Sequence, residues 1–131
     1  VVELSYSPVR HKIDVYVQRC EILVTNTPLV PLIQSFSLPI GIIRNVKIVF
    51  PRGCNRHISL RILHGSVQWL PVDTLGVFNE DTDGQPIEFQ VYHDVWDGNQ
   101  DFDIEAWNDG VDVHWNHVIN LYFTCELSEV L

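Results

Sequence analysis

The chain of 131 residues contains no methionine, only three cysteines, and no lysine or arginine after Arg61. Long apolar runs are also missing. The stretches Pro28–Ile33 and Pro39–Ile43 are broken by proline or glycine, and no window approaches the ~20 apolar residues of a membrane helix. Val1–Arg10 lacks the basic head and apolar middle of a secretory signal. Three cysteines cannot all pair within one chain, and none has C-x-x-C or zinc-finger spacing, so a disulfide scaffold is not expected and a reducing compartment fits better. Cys125 is in phase with Ile119, Leu121 and Phe123 and is expected to be a buried small hydrophobe. Cys54, after Pro51-Arg52-Gly53, is the expected exposed thiol. Helical periodicity is absent as well: no stretch of eleven residues places apolar side chains at i, i+3, i+4 and i+7.

The ionic residues present are divided unevenly along the chain. All eight cations fall between Arg10 and Arg61, and only three acids (Glu3, Asp14, Glu21) occur up to Arg61; the other fourteen follow it. The first segment is therefore +5 and the second −14, giving the net −9. A split of this kind bears on partners and assembly rather than on fold. Phosphate contact needs cations, so the net charge argues against nucleic acid as a partner. Two arrangements are open: acidic and basic loops gather at opposite ends, or the first and last strands lie side by side and neutralise one another.

Hydrophobic residues make up 46% of the chain, enough to fill a core, and 131 residues correspond to one domain that buries roughly two-thirds of its unfolded surface. Strand signals recur about every ten residues. Ile13–Val17 alternates, and Ile42–Phe50 is rich in β-branched residues. Ile58, Leu60 and Ile62 alternate with polar neighbours before His64-Gly65-Ser66 turns into Val67–Leu70, a hairpin pattern. Further along, Ile87, Phe89 and Val91 form one row, Phe102, Ile104 and Ala106 a second, and Ile119, Leu121, Phe123 and Cys125 a third. Pro28, Pro31 and Pro39 mark an irregular connection or a sheet edge. The expected fold is all-β: one antiparallel β-sandwich over residues 1–131, jelly-roll-like, with about eight strands, no significant helix, and residues 1–12 as an extended arm.

Candidate chemistry is sparse. No Gly-x-Ser-x-Gly, glycine-rich phosphate loop or acyl-transfer cysteine appears, and abundant carboxylates carry little information, so no enzymatic activity and no catalytic residue is expected. The acidic turn at Asp97, Asn99 and Asp101 spaces oxygen ligands as calcium would require, though it departs from an EF-hand and also reads as a solvated turn. Otherwise no metal or cofactor is implied. Asp112, His114 and His117 do not converge if they lie on a strand. Trp96 and Trp107 sit beside carboxylates, as sugar-stacking rings do, and Trp107 falls on the outer face of its strand. Aromatic side chains are equally at home in subunit contacts.

Three stretches carry a resemblance: Ile42–Cys54 with its Pro51-Arg52-Gly53-Cys54 turn, Leu60-Arg61-Ile62-Leu63-His64-Gly65, and Ile104-Glu105-Ala106-Trp107-Asn108. This layout resembles small β-sandwich virion accessory proteins of tailed phages, of the capsid decoration or cement type. The resemblance implies a non-enzymatic structural protein located in the virion and assembled in the host cytoplasm. Its partners would be itself, as a homo-oligomer such as a trimer, and a major capsid or other virion protein, with no nucleic acid or membrane involved. Arg44, Lys47, Arg52 and Arg56 are the candidate contacts to an acidic neighbour. The alternative is a glycan-binding module that uses Trp96 and Trp107, with calcium at Asp97, Asn99 and Asp101.

Overall fold

The computed structural model describes residues 9–52, 57–73, 76–79, 84–110 and 115–130. Eight strands account for most of them: β1 (Val9–Ile22), β2 (Leu32–Ser37), β3 (Gly41–Val49), β4 (Ile58–His64), β5 (Val67–Leu70), β6 (Pro86–Val95), β7 (Asp101–Asn108) and β8 (His117–Val130). They form two four-stranded antiparallel sheets in the orders β1-β8-β3-β6 and β2-β7-β4-β5. Consecutive strands thus mostly alternate between sheets, the double Greek-key order of a jelly roll. The all-β sandwich expected from the alternating rows is therefore the observed fold, and no described residue is helical.

Side-chain alternation decides which residues enter the space between the sheets. Ile58, Leu60 and Ile62 of β4, Ile104 and Ala106 of β7, and Ile119, Leu121 and Phe123 of β8 are fully buried. The two sheets meet at an aromatic cluster in which Phe36 lies 5.6 Å from Phe102 and 5.3 Å from Phe123. Cys20 and Cys125 are buried too, and burial pushes each thiol up to about 11. Cys125 therefore behaves as the small hydrophobe expected, whereas Cys54 lies outside the described residues.

One strand was hidden among the prolines. β2 occupies the stretch between Pro31 and Pro39 and lies at the edge of its sheet, where a missing N–H costs least. β1 begins at Val9, so residues 9–12 pair with residues 127–130 as part of the sandwich; residues 1–8 lie outside the described residues.

Two glycines have a geometric reason. Gly65 adopts a φ of 64° in the β4–β5 turn, a left-handed conformation that other residues adopt at a cost. Gly41, at the start of β3, has a φ of 155°, and a Cβ there would collide with the Glu126 carbonyl oxygen of β8. A few residues on, the register slips between Ile43 and Asn45: Arg44 is an extra residue opposite β8, whereas opposite β6 the extra residue lies on β6, between Gln90 and His93.

Strand order also settles the charge split. Basic β1 and β3 each pair with β8, and β3 also pairs with β6, so Arg19, Arg44 and Lys47 share a sheet with Glu88, Asp94 and Glu126. In this sheet the asymmetry along the sequence is balanced by interleaving, whereas in the other Asp101, Asp103 and Glu105 of β7 share their sheet with Arg61 alone.

Candidate interaction surfaces

The outer face of the β1-β8-β3-β6 sheet carries two of the four candidate cations. Arg44 lies over the Tyr92 ring at 5.1 Å, with its Nε 3.5 Å from Glu126 Oε2. Lys47 Nζ lies 4.7 Å from the Tyr122 ring centre, on a residue paired in register with both Tyr122 and Glu88. Each cation is thus held against an aromatic ring of the neighbouring strand, and about half of the Arg44 side chain remains exposed. Arg52 is exposed in the turn after β3, and Arg56 lies outside the described residues.

The two tryptophans singled out from the sequence are not brought together. Trp107, near the end of β7, is half-buried on the outer face, with the Arg61 guanidinium 5.6 Å from its ring. Arg61 in turn donates to Glu105 Oε1 at 2.8 Å, while its Nε is buried without a partner. Trp96 lies beyond the opposite end of β7, and the strand between them spans about 20 Å at the usual rise per residue. Its indole is 57% exposed.

Trp96 borders a cleft of about 540 Å³ lined also by His64, Val67, Trp69, Val72 and His93. Two of these residues, His64 and His93, were not anticipated as a site. A signal for both histidines was nevertheless present: His64 continues the inward row Ile58, Leu60, Ile62, and His93 continues Ile87, Phe89, Val91. At the floor, His64 Nδ1 lies 2.7 Å from His93 Nε2, and His64 Nε2 lies 2.8 Å from the Asn99 carbonyl oxygen. A carbonyl only accepts, so His64 carries its proton on Nε2, accepts at Nδ1, and receives the Nε2–H of His93. His64 stacks on Phe102 at 4.1 Å, and Trp69 stacks on His93 at 4.1 Å. Burial, and secondarily the neighbouring His64, holds the His93 pKa below the ordinary histidine value, with Asp94 opposing.

The acidic turn next to this cleft is tied into the fold by two of its three candidate ligands. Asn99 accepts from His64 through its carbonyl, and the Asp101 carboxylate accepts from Ser37 Oγ at 3.2 Å. Asp97 is exposed. Among the described residues, no group of three or more His, Cys, Asp or Glu side chains is placed to hold a metal ion.

At the other end of the sandwich, His57 Nδ1 pairs with Asp109 Oδ2 at 2.8 Å. His117 is buried, and its pKa is lowered by that burial and by His57. Asp112 and His114 lie outside the described residues.

A further surface was not singled out from the sequence. On β1, Ile13, Val15 and Val17 point away from the core and are 58%, 56% and 51% exposed. The alternation that marked this strand is real, but its apolar row faces out, while Tyr16, Cys20 and Ile22 face in. Period alone does not say which row meets the core.

No protein-family model and no curated protein matches the chain. Among solved structures, the fold is similar to that of a chain in the cyanophage Pam1 capsid asymmetric unit, with a TM-score of 0.57 and 13% identity, covering 97% of this chain and 91% of that one.

Proposed function

We propose that this chain is a non-enzymatic structural protein of a phage virion, of the decoration or cement type, that binds a capsid protein and associates with itself. The observation that carries the reading is the likeness to a cyanophage capsid chain over nearly the whole length of both molecules. Two surface features agree with it. An apolar row on β1 is left in solvent, and two cations on β3 of the same sheet are held against aromatic rings. Arg44, Lys47, Arg52 and Arg56 remain the proposed contacts to an acidic neighbour. For Arg44 such a neighbour would take the place that Glu126 fills in the isolated chain.

Mass spectrometry of purified virions tests the reading directly: the chain should be present at stoichiometric levels in intact particles. Its absence from particles made in cells that express it would overturn the proposal. Reversing the charge of Arg52 and Arg56 together should weaken particle association in a salt-dependent manner. Unchanged association would remove those two residues from the interface.

A second reading rests on Trp96, whose exposed indole borders a cleft with polar groups at its floor. Sugars stack on such rings, so a glycan array run with and without calcium examines this reading. Binding lost in Trp96→Ala would favour it, and a blank array in both conditions would count against it. Trp107 lies too far from Trp96 to contact the same sugar ring.

A further inference from the structure

Edge strands expose unpaired N–H and C=O groups, and proteins usually protect them with shortness, proline or charge. Three of the four edges here are protected in this way. β2 has six residues set between Pro31 and Pro39, β5 has four and is followed by Pro71, and β6 begins at Pro86 and presents Glu88 and Asp94. The β1 edge is different: it runs for 14 residues without proline, and its exposed charges, Lys12, Arg19 and Glu21, flank rather than interrupt the exposed row Ile13, Val15, Val17.

The direction of its open hydrogen-bonding groups follows from one contact. The Arg19 carbonyl of β1 accepts from Gln34 Nε2 of β2 at 3.1 Å, so that carbonyl faces the edge rather than β8. Backbone groups alternate in direction along an antiparallel strand, so the N–H and C=O of Ile13, Val15 and Val17 face the same way. Gln34 caps the end of the open stretch at Arg19. Among the described residues, the open backbone groups and the exposed β-branched side chains therefore belong to the same three residues.

We infer that β1 pairs antiparallel with β1 of a second copy about a two-fold axis at Val15, joining the two β1-β8-β3-β6 sheets into one eight-stranded sheet. This deepens the self-association in the function proposed above and rests on it. The row is self-complementary in this register: Val15 faces its own copy and Ile13 faces Val17, so apolar residues meet apolar residues along the whole open stretch. An isologous contact of this kind closes on itself and leaves no β1 edge for further growth. The axis at Val15 makes the pairing two-fold rather than three-fold, against the trimer expected from the phage resemblance.

The experiment is light scattering after size exclusion over a dilution series of the full chain and three variants. Wild type should have twice the chain mass, falling toward the monomer on dilution. Val15→Lys alone and Val15→Glu alone should each be monomeric with an unchanged circular dichroism spectrum, because each sets like charges against one another across the axis. Mixing the two variants should restore the doubled mass, an outcome that misfolded variants could not give. Val67→Lys, at an equally exposed apolar position on β5, should remain dimeric. A wild-type monomer at every concentration, a trimer, or a Val15→Lys protein of wild-type mass would overturn the inference. None of these results bears on whether the chain is found in virions, so failure of the two-fold pairing and failure of the virion reading are distinguishable.

Discussion

His64 and His93, 29 residues apart in sequence and on different sheets, share a single proton between Nδ1 and Nε2 at 2.7 Å. Because His64 Nε2–H is committed to the Asn99 carbonyl, a second charge on the pair would set two N–H groups against each other. The geometry therefore excludes two charges on the pair, and the burial of His93 disfavours the first.

This fixes a sign for the pH dependence. The His93 pKa is lowered in the folded chain, first by burial and then by His64, so below about pH 6.5 the unfolded chain binds protons that the folded one resists. Stability is fullest above that pH, falls as pH drops toward the folded-state pKa, and levels off beneath it. His93→Gln should show a smaller loss of Tm between about pH 7.5 and about pH 5.5 than wild type. Equal losses in the two proteins would mean that His93 does not contribute.

Gly41→Ala should destabilise the sandwich by roughly 2–4 kcal/mol, since the added methyl collides with the Glu126 carbonyl and β3 or β8 must shift. Urea denaturation measures this. Gly98→Ala, with open space around the added methyl, should cost less than Gly41→Ala.

Arg61→Met should cost about 1–3 kcal/mol, because Glu105, only 19% exposed, loses its hydrogen-bonding cation. Adding Glu105→Gln should recover part of the loss, as removing both charges of a half-buried pair is milder than removing one. A double variant no more stable than Arg61→Met would show that the pair contributes little.

Cys20 and Cys125, with thiols pushed up to about 11 by burial, should resist iodoacetamide at neutral pH and react only after unfolding. Peptide mapping after brief alkylation of native protein would reveal this. Modification of either residue at the rate of a free thiol would contradict their burial.

The parts legible in the sequence were those set by period. The inward rows on β4, β7 and β8 could be read from alternation because one face of each strand is buried without interruption. β2 was legible only as one of two alternatives, since the prolines at its ends suit an irregular connection as well as a sheet edge, and the edge is what forms. Which row of β1 faces inward was equally hidden: Ile13, Val15 and Val17 match a core pattern and are nevertheless exposed. The candidate site suffered most. The histidine pair exists only because β4 and β6 end beside one another across the sandwich, and no local spacing encodes that meeting. Trp96 and Trp107 share a setting beside carboxylates, but the length of β7 separates them.

The pairing of β1 with β8, register-matched from Val9 with Val130 to Ile22 with His117, has a consequence for how the chain is made. β1 leaves the ribosome early, yet the strand that hydrogen-bonds it is the last of the eight to emerge. Until then its β-branched residues and its backbone are unsatisfied on both sides, and β3 lacks its neighbour as well. The sandwich therefore cannot assemble progressively during translation; contacts this distant in sequence favour folding on the slow, millisecond-to-second scale of all-β domains. Nascent chains waiting for β8 have an incentive to pair with each other, so rapid expression should shift the product toward aggregates, and slower synthesis at low temperature should shift it back.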